Sequence, residues 1–93
     1  MMEIVIDHLA KEVLDSADIS QYYIKLYYLR SGWCPGMQME FAENINDHFE
    51  VFEEEGYKIA IEKDTMKRYD YFEIKYSNKA GQEGFYPHVE KNK

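Results

Sequence analysis

The sequence predicts a β-rich α+β domain of mainly antiparallel strands, with an N-terminal helix and one short helix before the last strands. Most segments alternate apolar and polar residues, which is the period-2 pattern of half-buried strands, and only one segment repeats apolar residues at clear helical spacing. No helical segment recurs between successive strands, which favours antiparallel hairpins over a parallel sheet with crossover helices. The 93 residues suffice for one modest core, so we expect a single domain over residues 1–93.

The first elements are an extended entry, a helix and a strand. Residues 2–6 form the entry, and Asp7 is the predicted N-cap of an amphipathic helix over about residues 7–16. Residues 22–29 (Y-Y-I-K-L-Y-Y-L) are rich in aromatic and branched side chains and predict a strand. One face of that strand is expected to carry Ile24, Leu26 and Tyr28.

A loop over residues 30–36 precedes a second strand. Residues 37–42 (M-Q-M-E-F-A) alternate apolar and polar side chains, so we favour a strand, although Met37, Phe41 and Ile45 also fit a helix with a spacing of four. Residues 48–62 then predict a hairpin that turns at Gly56. The inward face of its second strand is expected to carry Tyr57, Ile59 and Ile61.

The remaining elements are shorter. Asp64 is the predicted cap of a short helix that carries Met66 and Tyr69, and residues 71–76 (Y-F-E-I-K-Y) predict a strand. A turn then leads into a last short strand near residues 85–86, and we expect residues 87–93 to form a flexible tail.

Composition excludes several classes of function. The net charge of −7 argues against a nucleic-acid partner, because phosphate binding depends largely on lysine and arginine. No apolar stretch reaches the roughly 20 residues that span a bilayer, and the N-terminus lacks the basic and apolar regions of a signal peptide. One cysteine forms no intramolecular disulfide, so we expect an acidic, cytoplasmic protein without a nucleic-acid or membrane partner.

The single cysteine, Cys34, lies in the loop R-S-G-W-C-P-G-M at residues 30–37. From residue 19 to residue 39 there is no acid, whereas residues 43–55 contain six acids and no lysine or arginine. An acid-free surrounding would lower the thiol pKa slightly or suit an anionic ligand, but the favoured explanation is that these residues form buried strands, which avoid carboxylates. The acidic stretch indicates a solvated hairpin face, with a docking patch as the alternative. The residues expected to shape the cysteine loop are Gly32, Trp33, Pro35 and Gly36.

This succession of elements resembles the HesB-like, A-type iron–sulfur cluster biosynthesis domain family over about residues 4–86. The matching stretches are I-V-I-D-H-L-A-K-E-V-L, L-R-S-G-W-C-P-G-M-Q-M-E-F and V-F-E-E-E-G-Y-K-I-A-I-E-K-D. The resemblance implies a HesB-like fold, a role in or near iron–sulfur metabolism, and iron–sulfur assembly proteins as partners. It also implies that Cys34 matches the family's loop cysteine. The sequence does not determine the oligomeric state, and a homodimer is one option.

The family's carriers use three cysteines, and this sequence departs from that pattern. The two others form a Cys-Gly-Cys near the family's C-terminus, where this chain reads G-F-Y-P-H-V-E-K-N-K. A cluster normally takes about four thiolates, some of them replaceable by histidine. If iron or an iron–sulfur cluster is bound, we expect Cys34 as a ligand, with His88 as the second candidate ahead of His8 and His48, across an oligomer interface or with help from other side chains.

Two alternatives stay open beside iron–sulfur biosynthesis. One is an interaction or regulatory module that binds no metal, in which the loop residues serve only to shape the chain. The other is a monothiol redox protein, because S-G-W-C-P-G superficially resembles the Trp-Cys-Gly-Pro-Cys of thioredoxins; that fold requires a helix that begins at the cysteine. On the sequence we expect a protein that is not an enzyme.

Overall fold

The computed structural model describes residues 2–30, 32 and 36–92. Within these residues the chain forms seven strands and two helices, and strands predominate, which confirms the predicted α+β class. In chain order the elements are β1 (Glu3–Ile6), α1 (His8–Ala17), β2 (Tyr23–Leu29), β3 (Gly36–Ala42), β4 (Phe49–Glu54), β5 (Tyr57–Glu62), α2 (Lys63–Met66), β6 (Tyr69–Ser77) and β7 (Gly84–Lys91).

The strands form two sheets that face each other across one core. A three-stranded sheet has the order β1-β6-β7, and a four-stranded sheet has the order β3-β2-β5-β4. The hairpins β2–β3, β4–β5 and β6–β7 are antiparallel as expected, whereas β1 pairs with β6 and β2 with β5 in parallel. Because β7 lies beside β3 and β1 beside β4, the sheets resemble the opposite walls of a flattened barrel.

The centre of the four-stranded sheet is the most apolar part of the core. In the parallel pair, Ile24 lies opposite Ile59 and Leu26 opposite Ile61, and all four side chains are buried. The predicted inward faces of β2 and β5 are therefore confirmed. Ala60, expected on the outer face, is also fully buried, so both faces of β5 are covered at that point.

Helix α1 begins after Asp7, as predicted, and packs against the core through Ala10 and Leu14, both fully buried. Within the described chain, the Asp7 side chain makes no capping hydrogen bond; its backbone N–H instead donates to the carbonyl oxygen of Ile74 at 2.9 Å. The helix is thus positioned by its connection to β6 and by its apolar face. In the described part of the chain, neither helix has the length and apolar composition of a membrane span.

The hairpin prediction is confirmed, and its turn is tight. Glu54 pairs directly with Tyr57, which leaves Glu55 and Gly56 as a two-residue loop. Both have positive φ, 52° and 89°. This is the backbone of the primed turns that match the twist of the flanking strands. The strand prediction for residues 37–42 is confirmed as well, since Gly36–Ala42 forms β3.

Three predictions in the second half are corrected. Glu62, not Asp64, is the N-cap of α2, because the hairpin strand continues to Glu62 and the helix starts at once. The Oγ1 of Thr65 donates back to Oε1 of Glu62 at 2.8 Å. Tyr69 belongs to β6 rather than to the helix. Strand β7 runs from Gly84 to Lys91, so residues 87–91 are part of the sheet and not a tail.

Candidate functional site

The loop between β2 and β3 is the first predicted site. The hairpin ladder closes at the pair Leu29 and Gly36. Gly32 and Gly36 have φ values of 111° and 138°, a conformation that side chains with a Cβ rarely adopt. A Cβ at Gly32 would come no closer than 3.9 Å to Leu29, so backbone conformation rather than crowding favours glycine here. The remaining loop predictions lie outside the described residues and stay predictions: Trp33, Cys34 and Pro35.

His88, the second predicted ligand, lies on the outward face of β7, and its side chain is 46% exposed. Its Nε2 lies 3.3 Å from Oε2 of Glu90, and its ring meets that of Tyr71 edge-on with centroids 6.0 Å apart. In the ladder it lies opposite Glu73. Its neighbours are therefore two carboxylates and a tyrosine.

The other two histidines lie on separate elements. His8 starts α1 and is 3.4 Å from Glu12, one turn along the helix. His48 precedes β4, where its backbone N–H donates to Oδ1 of Asn46 at 2.9 Å. Among the described residues, no three histidine, aspartate or glutamate side chains form a group that could hold a metal ion.

The residues that flank the cysteine loop nevertheless lie at the same end of the barrel as the last residues of β7. The rings of Phe41 and Phe85 meet edge-on with centroids 5.5 Å apart, which joins the end of β3 to the start of β7. At the opposite end, Tyr28 of β2 and Lys91 of β7 line one cavity. The last residues of β7 therefore lie at the end where β2 leads into residues 30–36.

The thioredoxin-like alternative loses its structural basis. A thiol of that kind lies at the N-terminus of a helix, which lowers its pKa. Here β3 begins two residues after Cys34, and residues Gly36–Ala42 are a strand throughout. No helix starts in this part of the described chain.

The charge pattern around β2 has a structural explanation. The only cation within β2, Lys25, places its Nζ 3.0 Å from Oε1 of Glu40 on the neighbouring strand and 5.0 Å from the ring centre of Phe49. The acid-free stretch therefore includes buried sheet residues and a lysine that an acid outside the stretch neutralises. The acids of residues 43–55 are exposed, except for half-buried Glu54, as expected for a solvated hairpin face.

Two tyrosine–carboxylate pairs have shifted pKa values. The hydroxyl of Tyr57 donates to Oδ1 of Asp15 at 2.5 Å; burial of the ring and this bond raise the pKa of Tyr57 to about 12. The same bond, assisted by Lys11, lowers the pKa of Asp15. The hydroxyl of Tyr71 donates to Oε1 of Glu73 at 2.9 Å, which together with burial raises the pKa of Tyr71 to about 12. Both tyrosines are structural hydrogen-bond donors at neutral pH.

Sequence reasoning missed two surface features. One is the outward face of β6 and β7, where His88 meets Tyr71 and Glu73; the other is a cavity at the cysteine-loop end of the barrel. The alternation of Phe85, Pro87 and Val89 with polar residues was a signal that the last strand continues. The cavity had no local signal, because the side chains that line it lie on β2, β6 and β7 and beside α2.

Comparison with known proteins supports the fold but assigns no family from the sequence. No protein-family model matches the sequence, and no curated protein matches it. Among solved structures, the crystal structure of Escherichia coli SufA, involved in the biosynthesis of iron–sulfur clusters, superposes with a TM-score of 0.65. The match covers 91% of this chain and 78% of SufA at 16% sequence identity. The predicted HesB-like resemblance is thus confirmed at the level of the fold: this chain has a SufA-like fold.

Proposed function

We propose that the protein is a non-enzymatic component of iron–sulfur cluster biosynthesis that binds other assembly proteins and does not hold a cluster within a single chain. The observation that carries the proposal is the SufA-like fold over 91% of the chain. SufA is involved in the biosynthesis of iron–sulfur clusters. Since a fold alone does not define an activity, the ligands present in the sequence decide what this chain contributes.

The number of potential cluster ligands favours a protein that binds other assembly proteins over one that carries a cluster by itself. A cluster normally takes about four thiolate ligands, some of them replaceable by histidine. The sequence contains one cysteine, Cys34, and three histidines, which lie on α1, before β4 and on β7. His88 is the candidate nearest in sequence to the family's C-terminal cysteines, and its Nε2 already faces Glu90. One chain therefore offers one thiolate.

A cluster or iron cargo can still be shared between two chains, and one structural feature favours this shared binding. The residues that flank the Cys34 loop and the end of β7 lie at one end of the barrel. Two copies that meet through this end would contribute two thiolates, and an assembly protein docked there could supply the others. Cys34 is then a ligand and not a catalytic residue.

Anaerobic reconstitution with iron and sulfide, followed by size-exclusion chromatography with visible detection, tests whether a single chain holds a cluster. We expect the monomer to elute without sulfur-to-iron charge-transfer bands. Bands that elute with the monomer would contradict the proposal. Bands confined to a dimer, and lost in Cys34→Ser, would establish the shared binding. His88→Ala tests the second ligand, with His8→Ala as its matched control, because His8 is also exposed and paired with a glutamate.

Affinity capture tests the proposal that the protein binds other assembly proteins. The tagged protein and its Cys34→Ser variant are used as baits in lysate of the source cells, and bound proteins are identified by mass spectrometry. We expect enrichment of iron–sulfur assembly proteins by the wild type. Failure to enrich any of them over an unrelated acidic bait of equal size would contradict an assembly role, whatever the reconstitution shows.

A further inference from the structure

The cavity at the cysteine-loop end of the barrel has a cationic lining in an acidic protein. Its volume is about 380 Å³, and its lining residues are Tyr28, Arg68, Tyr69 and Lys91. The cavity is open to solvent, because Arg68 and Lys91 are exposed, whereas Tyr28 and Tyr69 are half-buried. The lining is two cations and two phenols, in a chain of net charge −7.

The two cations of this cavity lack the carboxylate partners that four lysines of the chain have. Four lysines lie within 4.0 Å of a carboxylate: Lys11, Lys25, Lys67 and Lys75. Within the described residues, neither Arg68 nor Lys91 has such a partner, although Asp70 and Glu90 are their near neighbours in sequence. Their charges are therefore free to meet an anion from solution.

The geometry of the cavity is held by the backbone around it. Lys91 pairs with Tyr69 at the end of the β6–β7 ladder. Asn92 then ties the chain to the corner between α2 and β6, because its backbone N–H donates to the carbonyl of Arg68 at 3.2 Å and its side-chain amide donates to that of Lys67 at 2.9 Å. These contacts place Lys91 beside Arg68.

Tyr28 positions the guanidinium from the other wall. The central guanidinium carbon of Arg68 lies 5.5 Å from the Tyr28 ring centre, within the range of a cation–π contact. Such a contact restrains the side chain and leaves its N–H groups available for hydrogen bonds. The hydroxyls of Tyr28 and Tyr69 have no hydrogen-bond partner among the described residues, so both are further donors.

We propose that this cavity binds a small oxyanion, a phosphate or carboxylate group, through the Arg68 guanidinium, the Lys91 ammonium and the two tyrosine hydroxyls. Arginine presents a planar fork that matches both kinds of oxyanion, and lysine adds a point charge. The inference is independent of the proposed iron–sulfur role, because it requires neither Cys34 nor a metal.

Titration followed by ¹⁵N–¹H NMR tests the site. Wild-type protein is titrated with inorganic phosphate and, separately, with succinate, each against sodium chloride at equal ionic strength. We expect saturable shifts of amide signals near Arg68 and Lys91 with one or both oxyanions and none with chloride. The oxyanion with the lower dissociation constant identifies phosphate or carboxylate as the preferred group. Shifts that are the same for all three salts, or no shifts, would overturn the proposal.

Variants distinguish specific oxyanion binding at this cavity from a response to the net charge of the protein. Arg68→Gln should weaken oxyanion binding about tenfold or more, and Arg68→Lys should weaken it less, because the charge remains while the fork is lost. Lys58→Gln is the matched control, since Lys58 also stacks on a tyrosine, with its Nζ 4.4 Å from the Tyr23 ring centre, but does not line this cavity. Equal weakening by Lys58→Gln and Arg68→Gln would overturn the proposal, because it would show a response to net charge only.

Discussion

The hydrogen bond between Tyr57 and Asp15 fastens α1 to the start of β5, and its removal has a predictable cost. The two residues are 42 positions apart, and the O–O distance is 2.5 Å. Tyr57 is buried, with 6% of its surface exposed, whereas the Asp15 side chain is 52% exposed and also accepts a bond from Lys11 at 3.0 Å. The substitution Tyr57→Phe removes the donor and keeps the buried ring.

The magnitude follows from the exposure of the acceptor. A hydrogen bond to a charged group contributes about 1.5–3 kcal/mol when it is well buried. Water can rehydrate the half-exposed carboxylate after the hydroxyl is removed, so the net loss should lie near about 1 kcal/mol. For a domain of this size, that corresponds to a fall in Tm of about 4–8 °C.

A double-mutant cycle measures the bond itself. Urea unfolding of the wild type, Tyr57→Phe, Asp15→Ala and the double variant at pH 7 should give a coupling free energy of about 1 kcal/mol. Tyr86→Phe is the control, since Tyr86 is 42% exposed and has no hydrogen bond among the described residues; it should change stability by less than about 0.5 kcal/mol.

The pH dependence of this coupling has a defined sign. Because the folded-state pKa of Asp15 is lowered, its contribution is present above the unfolded value of 3.8 and is lost as the pH falls through the folded pKa. On the alkaline side, the pKa of Tyr57 is raised to about 12, so its contribution is present below pH 10 and is lost between pH 10 and 12. A coupling below about 0.3 kcal/mol at pH 7, within ordinary additivity, would show that this hydrogen bond does not stabilise the fold.

Three further predictions concern the core, the hairpin and a second tyrosine. Phe72→Ala, at a fully buried position of β6, should lower the unfolding free energy by about 3–5 kcal/mol in urea titrations; a loss below about 1 kcal/mol would contradict its place in the core. Glu55→Asn should raise Tm, because asparagine tolerates the φ of 52° better than glutamate does; an unchanged or lower Tm would contradict this. Tyr71→Phe should reduce the loss of stability between pH 10 and 12, since the hydrogen bond to Glu73 and, second, burial raise the Tyr71 pKa to about 12; an unchanged alkaline loss would exclude that contribution.

The elements that the sequence predicted correctly are those with a local signal. Strand β2 alternates Ile24 and Leu26 with outward residues, and the β4–β5 hairpin has its glycine at the turn. Burial on one face imposes this period-2 pattern, so it is visible without knowledge of the partner strand. The parallel pairs β1–β6 and β2–β5 left no such signal, because alternation shows a buried face and not the direction of the neighbour.

The length of β7 was missed for a physical reason. Pro87 in its middle suggests a chain break, since proline has no N–H for a ladder. Among the described strands, β7 pairs only with β6 and forms the edge of its sheet, where one side of the strand needs no ladder partner. The cap of α2 was misplaced for a related reason: Asp64 looks like a cap locally, but Glu62 is still paired in the hairpin when the helix begins.

The same topology determines what the candidate site can be. Because β7 runs alongside β3 in the opposite direction, the residues that flank the Cys34 loop and the end of β7 meet at one end of the barrel. A chain with several cysteines in these two places would gather its thiolates there. In this sequence Cys34 is the single thiol, and the side chains that line the cavity at that end are two tyrosines, an arginine and a lysine. The lining of this cavity is the basis of the proposed oxyanion site, and the single cysteine is the basis of the proposal that a cluster is shared between chains.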